Sequence, residues 1–235
     1  MTVPAHVLSA FQLDDETPAP AGQFWDDGLR FGRVVLARAT ETSAWSGKAR
    51  EKAEPPEGLR ISRPVRATDG RLIVGGYRAT EFAPGEPRER VDEAVAAALR
   101  YDDAVTGIDV PAGESSLSWI ADDRAVWRGT AYSGDMVVAH LDFLAHLLFD
   151  GHAAPVLTDF APSAGLRPRG YTAALVIVDG LLAGAVDTDI LARWSHVPRL
   201  QWLAQQAVEY RRRTTRGLGS DVCSIDSVAE VVASY

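Results

Sequence analysis

Apolar and polar positions group the first eighty residues into short, turn-punctuated segments. A short helix is expected over Pro4–Phe11, with proline in its first turn, followed by a Pro/Ala stretch from Thr17 to Gly22, and this whole opening is expected to be peripheral. Gly22 to Arg38 reads as two strands, the second carrying the β-branched run Arg33-Val34-Val35-Leu36, joined by the turn Asp26-Asp27-Gly28. A helix is predicted over Ser43–Lys52 and is stopped by Glu54-Pro55-Pro56. Two further strands, Leu59–Arg66 and Arg71–Tyr77, flank Asp69-Gly70. The run Phe82-Ala83-Pro84-Gly85-Glu86-Pro87 continues neither a strand nor a helix, so a boundary is expected there, between residues 1–82 and 83–235.

Beyond that connector the period changes. Val91, Ala94, Val95, Ala98 and Leu99 recur at helical spacing. Met136–Ala139 and His146–Phe149 read as strands around a polar turn, with a third at Pro155–Asp159. Helices are expected over Tyr171–Ala185, Asp189–Trp194, Pro198–Arg213 and Ile225–Ala233. The pattern as a whole is α+β: a small sheet-rich half with one main helix, then a mostly helical half.

Composition narrows the picture. An apolar fraction of 46% supports a sizeable core, and 24 Lys+Arg against 32 Asp+Glu, a formal charge of −8, argues against a nucleic-acid-binding surface. Cys223 is the only cysteine, which leaves no intramolecular disulfide to form, and the first thirty residues carry no basic region followed by an apolar run. A cytoplasmic protein is the expectation. The most apolar stretch, Tyr171–Val186, is interrupted by Asp179-Gly180 and is too short to cross a bilayer, so no membrane partner is expected.

Candidate chemistry concentrates in His140-Leu141-Asp142, His146 and Asp159-Phe160. One loop carboxylate can accept a proton from a hydroxyl while a second, seventeen residues on, holds a divalent cation, the division of labour in metal-assisted phosphoryl transfer. His140, His146 and His152 near the two aspartates also fit a His/Asp metal-dependent hydrolase, although no His-Glu-x-x-His or Cys-x-x-Cys pair accompanies them.

The segments His140-Leu141-Asp142, Leu147-Leu148-Phe149 and Val156-Leu157-Thr158-Asp159-Phe160 resemble the catalytic loop and metal-aspartate segments of aminoglycoside-phosphotransferase-like proteins, relatives of the protein kinases. The likeness is to an actinobacterial branch whose loop reads His-Gly-Asp-Leu-x-Gly-Asn-Val-Leu-Phe. The resemblance implies a two-lobed protein-kinase-like fold, with a small antiparallel β N-lobe bearing one helix and a mostly helical C-lobe. It implies ATP and Mg as cofactors and Asp142 as catalytic base, with His140 packed beneath the loop to orient it. Asp159 and His146 would be metal ligands, Gly22 and Arg38 would meet the nucleotide, and Gly76 and Tyr77 would lie on the strand that leads to the adenine-binding hinge. Asp179 would brace the catalytic loop, and Glu51 would be the acid that pairs with the family's strand lysine.

This sequence departs from that pattern where chemistry is concentrated. The lysine position falls on Ala37, the metal-binding asparagine on His146 and the loop glycine on Leu141, while Asp26 and Asp27 place negative charge where phosphates would sit. Without the lysine, Glu51 reverts to a solvated residue, and Arg211-Arg212-Arg213 with Arg216 reads as a basic complement to a helix C-terminus. Three functions follow as expectations. The first is a degenerate ATP- and Mg-dependent phosphotransferase with a small-molecule hydroxyl acceptor. The second is an inactive kinase-like binding or scaffolding protein, and the third is the metal hydrolase.

Overall fold

The computed structural model describes residues 2–113, 115–215 and 222–235, so Arg216 lies outside the described residues, as does the side chain of Cys223. In chain order the elements are α1 (Ala5–Ala10), β1 (Pro18–Gly22), β2 (Gly28–Phe31), β3 (Val34–Arg38), α2 (Ser43–Lys52), β4 (Arg60–Ile61), β5 (Pro64–Val65), β6 (Ile73–Val74), β7 (Tyr77–Glu81), α3 (Val91–Ala104), α4 (Ser118–Val126), β8 (Met136–His140), β9 (Leu147–Leu148), β10 (Val156–Leu157), β11 (Pro162–Pro168), α5 (Tyr171–Leu182), α6 (Ile190–Arg193), α7 (Leu200–Thr214) and α8 (Val222–Ser234). The protein is α+β, and none of its described helices is long and apolar enough to cross a membrane.

The chain divides into two units, Met1–Pro87 with Ala145–Ala161 and Arg88–Leu144 with Pro162–Tyr235. In the first, an antiparallel sheet runs β1-β2-β3-β7-β5, with β6 also paired to β7. The register Leu36↔Ala79, Ala37↔Arg78, Arg38↔Tyr77 sorts side chains by face. Leu36, Tyr77 and Ala79 enter one hydrophobic cluster, and Val35 enters another with Trp25, Ala83, Leu148 and Val156.

Three expectations change here. The Pro4–Phe11 segment is not peripheral: Val7, Phe11 and Leu13 are buried against the first face of the sheet. A short helix that cannot be stable alone is held by that packing, and Gly75 permits the close approach, since a Cβ there would stand 2.9 Å from Val7 Cγ2. Gly22–Arg38 does hold two paired strands, but they are β2 and β3, and β1 from the Pro/Ala stretch adds a third beside them. The tight turn is at Gly32-Arg33, whereas Asp26-Asp27 belongs to a loop between β1 and β2, because Pro18–Gly22 pairs along β2 rather than leading into it. The long strands expected over 59–66 and 71–77 are likewise broken into β4, β5, β6 and the start of β7.

A second, three-stranded sheet, β4-β10-β9, joins residues 145–161 to the first unit, with β10 parallel to β4 and antiparallel to β9. The Glu86–Phe149 pair adds two backbone hydrogen bonds of 3.1 and 2.9 Å. The 83–87 connector therefore belongs with the first unit as well.

In the second unit, β8 pairs with β11 and not with 146–149 as expected. The strand Pro162–Pro168 shows no clean alternation and is bounded by prolines, which hides it from pattern reading. Around this ribbon, α5 packs between α3 and α7, and nine of its twelve residues are buried, so it forms the centre of the helical core.

Candidate functional site

The first unit holds a network of charges around Asp159. Its carboxylate lies 2.9 Å from an Arg78 guanidinium nitrogen and 3.5 Å from Arg50, and it also accepts a hydrogen bond from Ser46 Oγ. Arg50 is essentially unexposed. Its guanidinium donates to the carbonyls of Ser62 and Thr158 at 3.0 Å each, and its Nε donates to Ser46 Oγ at 3.3 Å. Arg50 therefore ties α2 to β10 through backbone acceptors and to Asp159 through charge.

Burial works against ionisation of the Asp159 carboxyl, but Arg78 and then Arg50 outweigh it and hold the group well below the usual carboxylate range. Burial pulls the Arg50 guanidinium down to about 10, opposed by Asp159, so it stays charged at neutral pH.

Arg78 also pairs with Asp26, whose side chain is 44% exposed against 9% for Arg78. The cation thus has one counter-ion that is mostly covered, Asp159, and one, the exposed Asp26, that comes from the β1–β2 loop. Asp26 and Asp27 both adopt positive φ, 52° and 49°, in the left-handed region, which costs energy for any residue but glycine. That loop also buries Trp25, whose ring centroid is 5.5 Å from that of Phe82, while the Arg30 guanidinium sits 3.7 Å over Phe82.

Phe24 and Trp25 separate two spaces. One is a pocket of about 490 Å³ bounded also by Pro20, Phe82, Pro87 and Leu148. The other is a cavity of about 10 Å³ bounded by Ala37, Arg78, Thr80, Thr158 and Asp159, room for about one water molecule.

The second unit contains Asp142 and His140. Asp142 is exposed, and its backbone N–H donates to His140 Nδ1 at 3.2 Å. His140 is fully buried between Tyr101 and Phe143, with ring centroids 5.5 and 5.3 Å away, so it acts as a packing and turn-setting residue. Its own N–H donates to Thr172 Oγ1 at 3.1 Å, and Thr172 in turn donates to the buried Asp102 carboxylate at 3.1 Å.

Asp179 does not reach the loop backbone itself. It binds Arg211 through two oxygens, at 2.5 and 2.6 Å, and Arg211 donates to the Leu141 carbonyl at 3.0 Å. Burial opposes the charge on Arg211, but Asp179 outweighs it and raises its pKa. Arg211 is thus a partly buried brace for the loop rather than a surface complement to a helix end, whereas Arg212 and Arg213 do pair at the surface, with Asp226 and Glu209.

No protein-family model matches the chain, and no curated protein matches it.

The expected site residues separate by unit. Asp159, His146, Gly22, Arg38, Gly76 and Tyr77 belong to the first, Asp142 and His140 to the second. Arg38 is exposed on the face opposite Ala37, its guanidinium 4.2 Å over the Tyr77 ring. Gly76 and Tyr77 lie at the β6–β7 turn, and Tyr77 is buried in the α1 cluster, with its hydroxyl donating to the Thr2 carbonyl at 3.2 Å. Gly22 begins the Trp25 loop with φ 85°. The backbone carbonyl of His146 accepts from Thr158 N–H at 2.9 Å. Glu51 pairs with Arg66 at the surface.

A magnesium ion fits these residues poorly. Both Asp159 oxygens face guanidinium groups, which repel a cation, and among the described residues no three or more His, Cys, Asp or Glu side chains converge to hold a metal. Sequence reading missed Arg50 and Arg78. Arg78 was detectable only through the ladder, where it stands directly across from Ala37, the position lacking a lysine.

Proposed function

We propose that the protein is a kinase-like binding module without phosphotransferase chemistry. The observation that carries this reading is the Arg50–Asp159–Arg78 arrangement: the carboxylate expected to hold a metal is neutralised by two guanidinium groups of its own chain. Ala37 supports it, since that position offers no cation, and so does the Trp25 loop, which fills the space next to Asp159 and leaves only about 10 Å³. Replacing two internal counter-charges by a metal would require both buried arginines to lose a partner, and breaking a buried pair costs about 3–5 kcal/mol.

The experiment is release or transfer of the terminal phosphate of ATP with magnesium, alongside a thermal-shift titration. The expected outcome is no magnesium-dependent turnover and no stabilisation that requires the metal. Binding at a hundred times the dissociation constant would stabilise by about 2.7 kcal/mol, a shift well within detection. Turnover that disappears in Asp142→Asn would reject the reading in favour of phosphotransfer, for which the exposed Asp142 on its braced turn is the supporting observation.

A further inference from the structure

We propose that the Gly22–Gly28 loop is a displaceable plug whose Asp26 carboxylate stands in for an oxyanion ligand on Arg78. Charge supplies the first argument. Arg50 and Arg78 share one partly buried carboxylate, Asp159, so the pair of cations needs a second anion, and Asp26 is the one that provides it. Asp26 is half exposed and comes from a loop, whereas Arg78 is buried in the sheet. If the loop swings out, one uncompensated guanidinium remains in the cavity.

Hydrogen bonding supplies the second. Arg78 Nε is buried and has no hydrogen-bond partner among the described residues, while a neighbouring nitrogen of the same group serves both Asp26 and Asp159. A guanidinium edge offers two parallel donors, a geometry that matches two oxygens of one phosphate or carboxylate group. Asp26 leaves that edge half used, which is a poor match for a permanent structural partner.

Backbone and space agree. Two successive non-glycine residues at positive φ make the plugged conformation a costly one for the loop, and Trp25 is the partition between the pocket of about 490 Å³ and the cavity at Arg78. Withdrawing the loop joins the two. The ligand class is therefore a molecule bearing a phosphate or carboxylate, its charge met by Arg78 without a metal ion and its remainder set against Phe82, Pro87 and Leu148. This rests on the reading above in one respect, that Asp159 stays paired with Arg50 and takes no metal.

The test measures binding of inorganic phosphate and of acetate by calorimetry, on the full chain with a chelator present, in wild type, Asp26→Asn and Asp26→Asn/Arg78→Met. Asp26→Asn is expected to bind phosphate or acetate about fivefold more tightly than wild type, the weight of one half-exposed ion pair, and the Arg78 substitution to abolish the gain. A gain for phosphate alone assigns a phosphorylated ligand, and a gain for acetate alone a carboxylate. In wild type the bound anion should raise acrylamide quenching of the Trp25 emission, identified by its loss in Trp25→Phe.

Equal affinities in wild type and Asp26→Asn overturn the proposal, as does a gain that survives Arg78→Met; if the double variant does not fold, the first comparison decides alone. Because no nucleotide or metal is present, failure here leaves the non-catalytic reading standing. Magnesium-dependent turnover would reject that reading by a separate measurement.

Discussion

Asp102 gives the sharpest test of the energetics, because one buried carboxyl sets a measurable slope of stability against pH. It sits at the end of α3 with no exposure, accepting from Gly170 N–H at 2.7 Å and from Thr172 Oγ1 at 3.1 Å. Burial raises its pKa from 3.8 to about 7, against the pull of those two hydrogen bonds and of Arg169; Asp103 pushes the same way as burial. The folded state therefore binds the proton more tightly than the unfolded chain does. Its stabilising share is complete below pH ~4 and is lost as the pH rises through about 7. Three units correspond to about 4 kcal/mol across the full window, of which roughly 2–3 kcal/mol falls between pH 5 and pH 8.

Asp102→Asn keeps the side-chain shape and removes the titration. Urea unfolding of wild type and variant at half-unit steps from pH 5 to 8 isolates this term, since the other groups titrate alike in both and cancel in the difference. The variant should gain on wild type by roughly 2–3 kcal/mol over that range. Parallel curves would refute the reasoning and place Asp102 in a wetter site than its burial implies.

Arg50→Met should cost about 3–5 kcal/mol in chemical denaturation, because it removes a buried cation from partly buried Asp159 and leaves the Ser62 and Thr158 carbonyls without a donor. Arg50→Lys should recover only part of that loss, since a single ammonium does not reproduce the guanidinium donors. The depressed pKa of Asp159 has the sign opposite to Asp102: its stabilising share is present above pH ~4 and disappears on acidification, so Asp159→Asn should flatten the acid limb of the stability profile. Arg211→Met should speed amide exchange at Leu141–Phe143 more than elsewhere in the second unit, because it removes the donor that holds the Leu141 carbonyl; uniform protection would reject the bracing role.

Several elements were legible before any coordinates. The helix over Ser43–Lys52 has the expected bounds and ends before Glu54-Pro55-Pro56, and the helices α3, α5, α6 and α7 fall within a few residues of their periodic patterns. The difficulties share a cause. The opening segment, β11 and the partner of β8 are set by long-range packing, for which local spacing carries little information: Pro162–Pro168 pairs with a strand that ends 22 residues earlier, and α1 is ordered by the sheet it covers. At the candidate site, the resemblance marked Ala37 and the acidic Asp26-Asp27 pair as departures from the family's pattern. The cation that does pair with Asp26 and Asp159, Arg78, is across the ladder from Ala37, and no linear motif marks it.

Sequence determined most of the helix spans and turn residues, because each depends on neighbours a few residues apart, and it gives the acidic balance and the absence of a lysine at position 37 directly from residue identity. Tertiary structure alone decided that two arginines, at 50 and 78, meet the carboxylate at 159 and that a loop aspartate closes over one of them. An ion network is a property of distances in space. Charges far apart in sequence reach a few ångströms only after the sheet register and the packing of α2 have been set, and burial then gives those contacts energies that the same residues in an unfolded chain, surrounded by water, do not have.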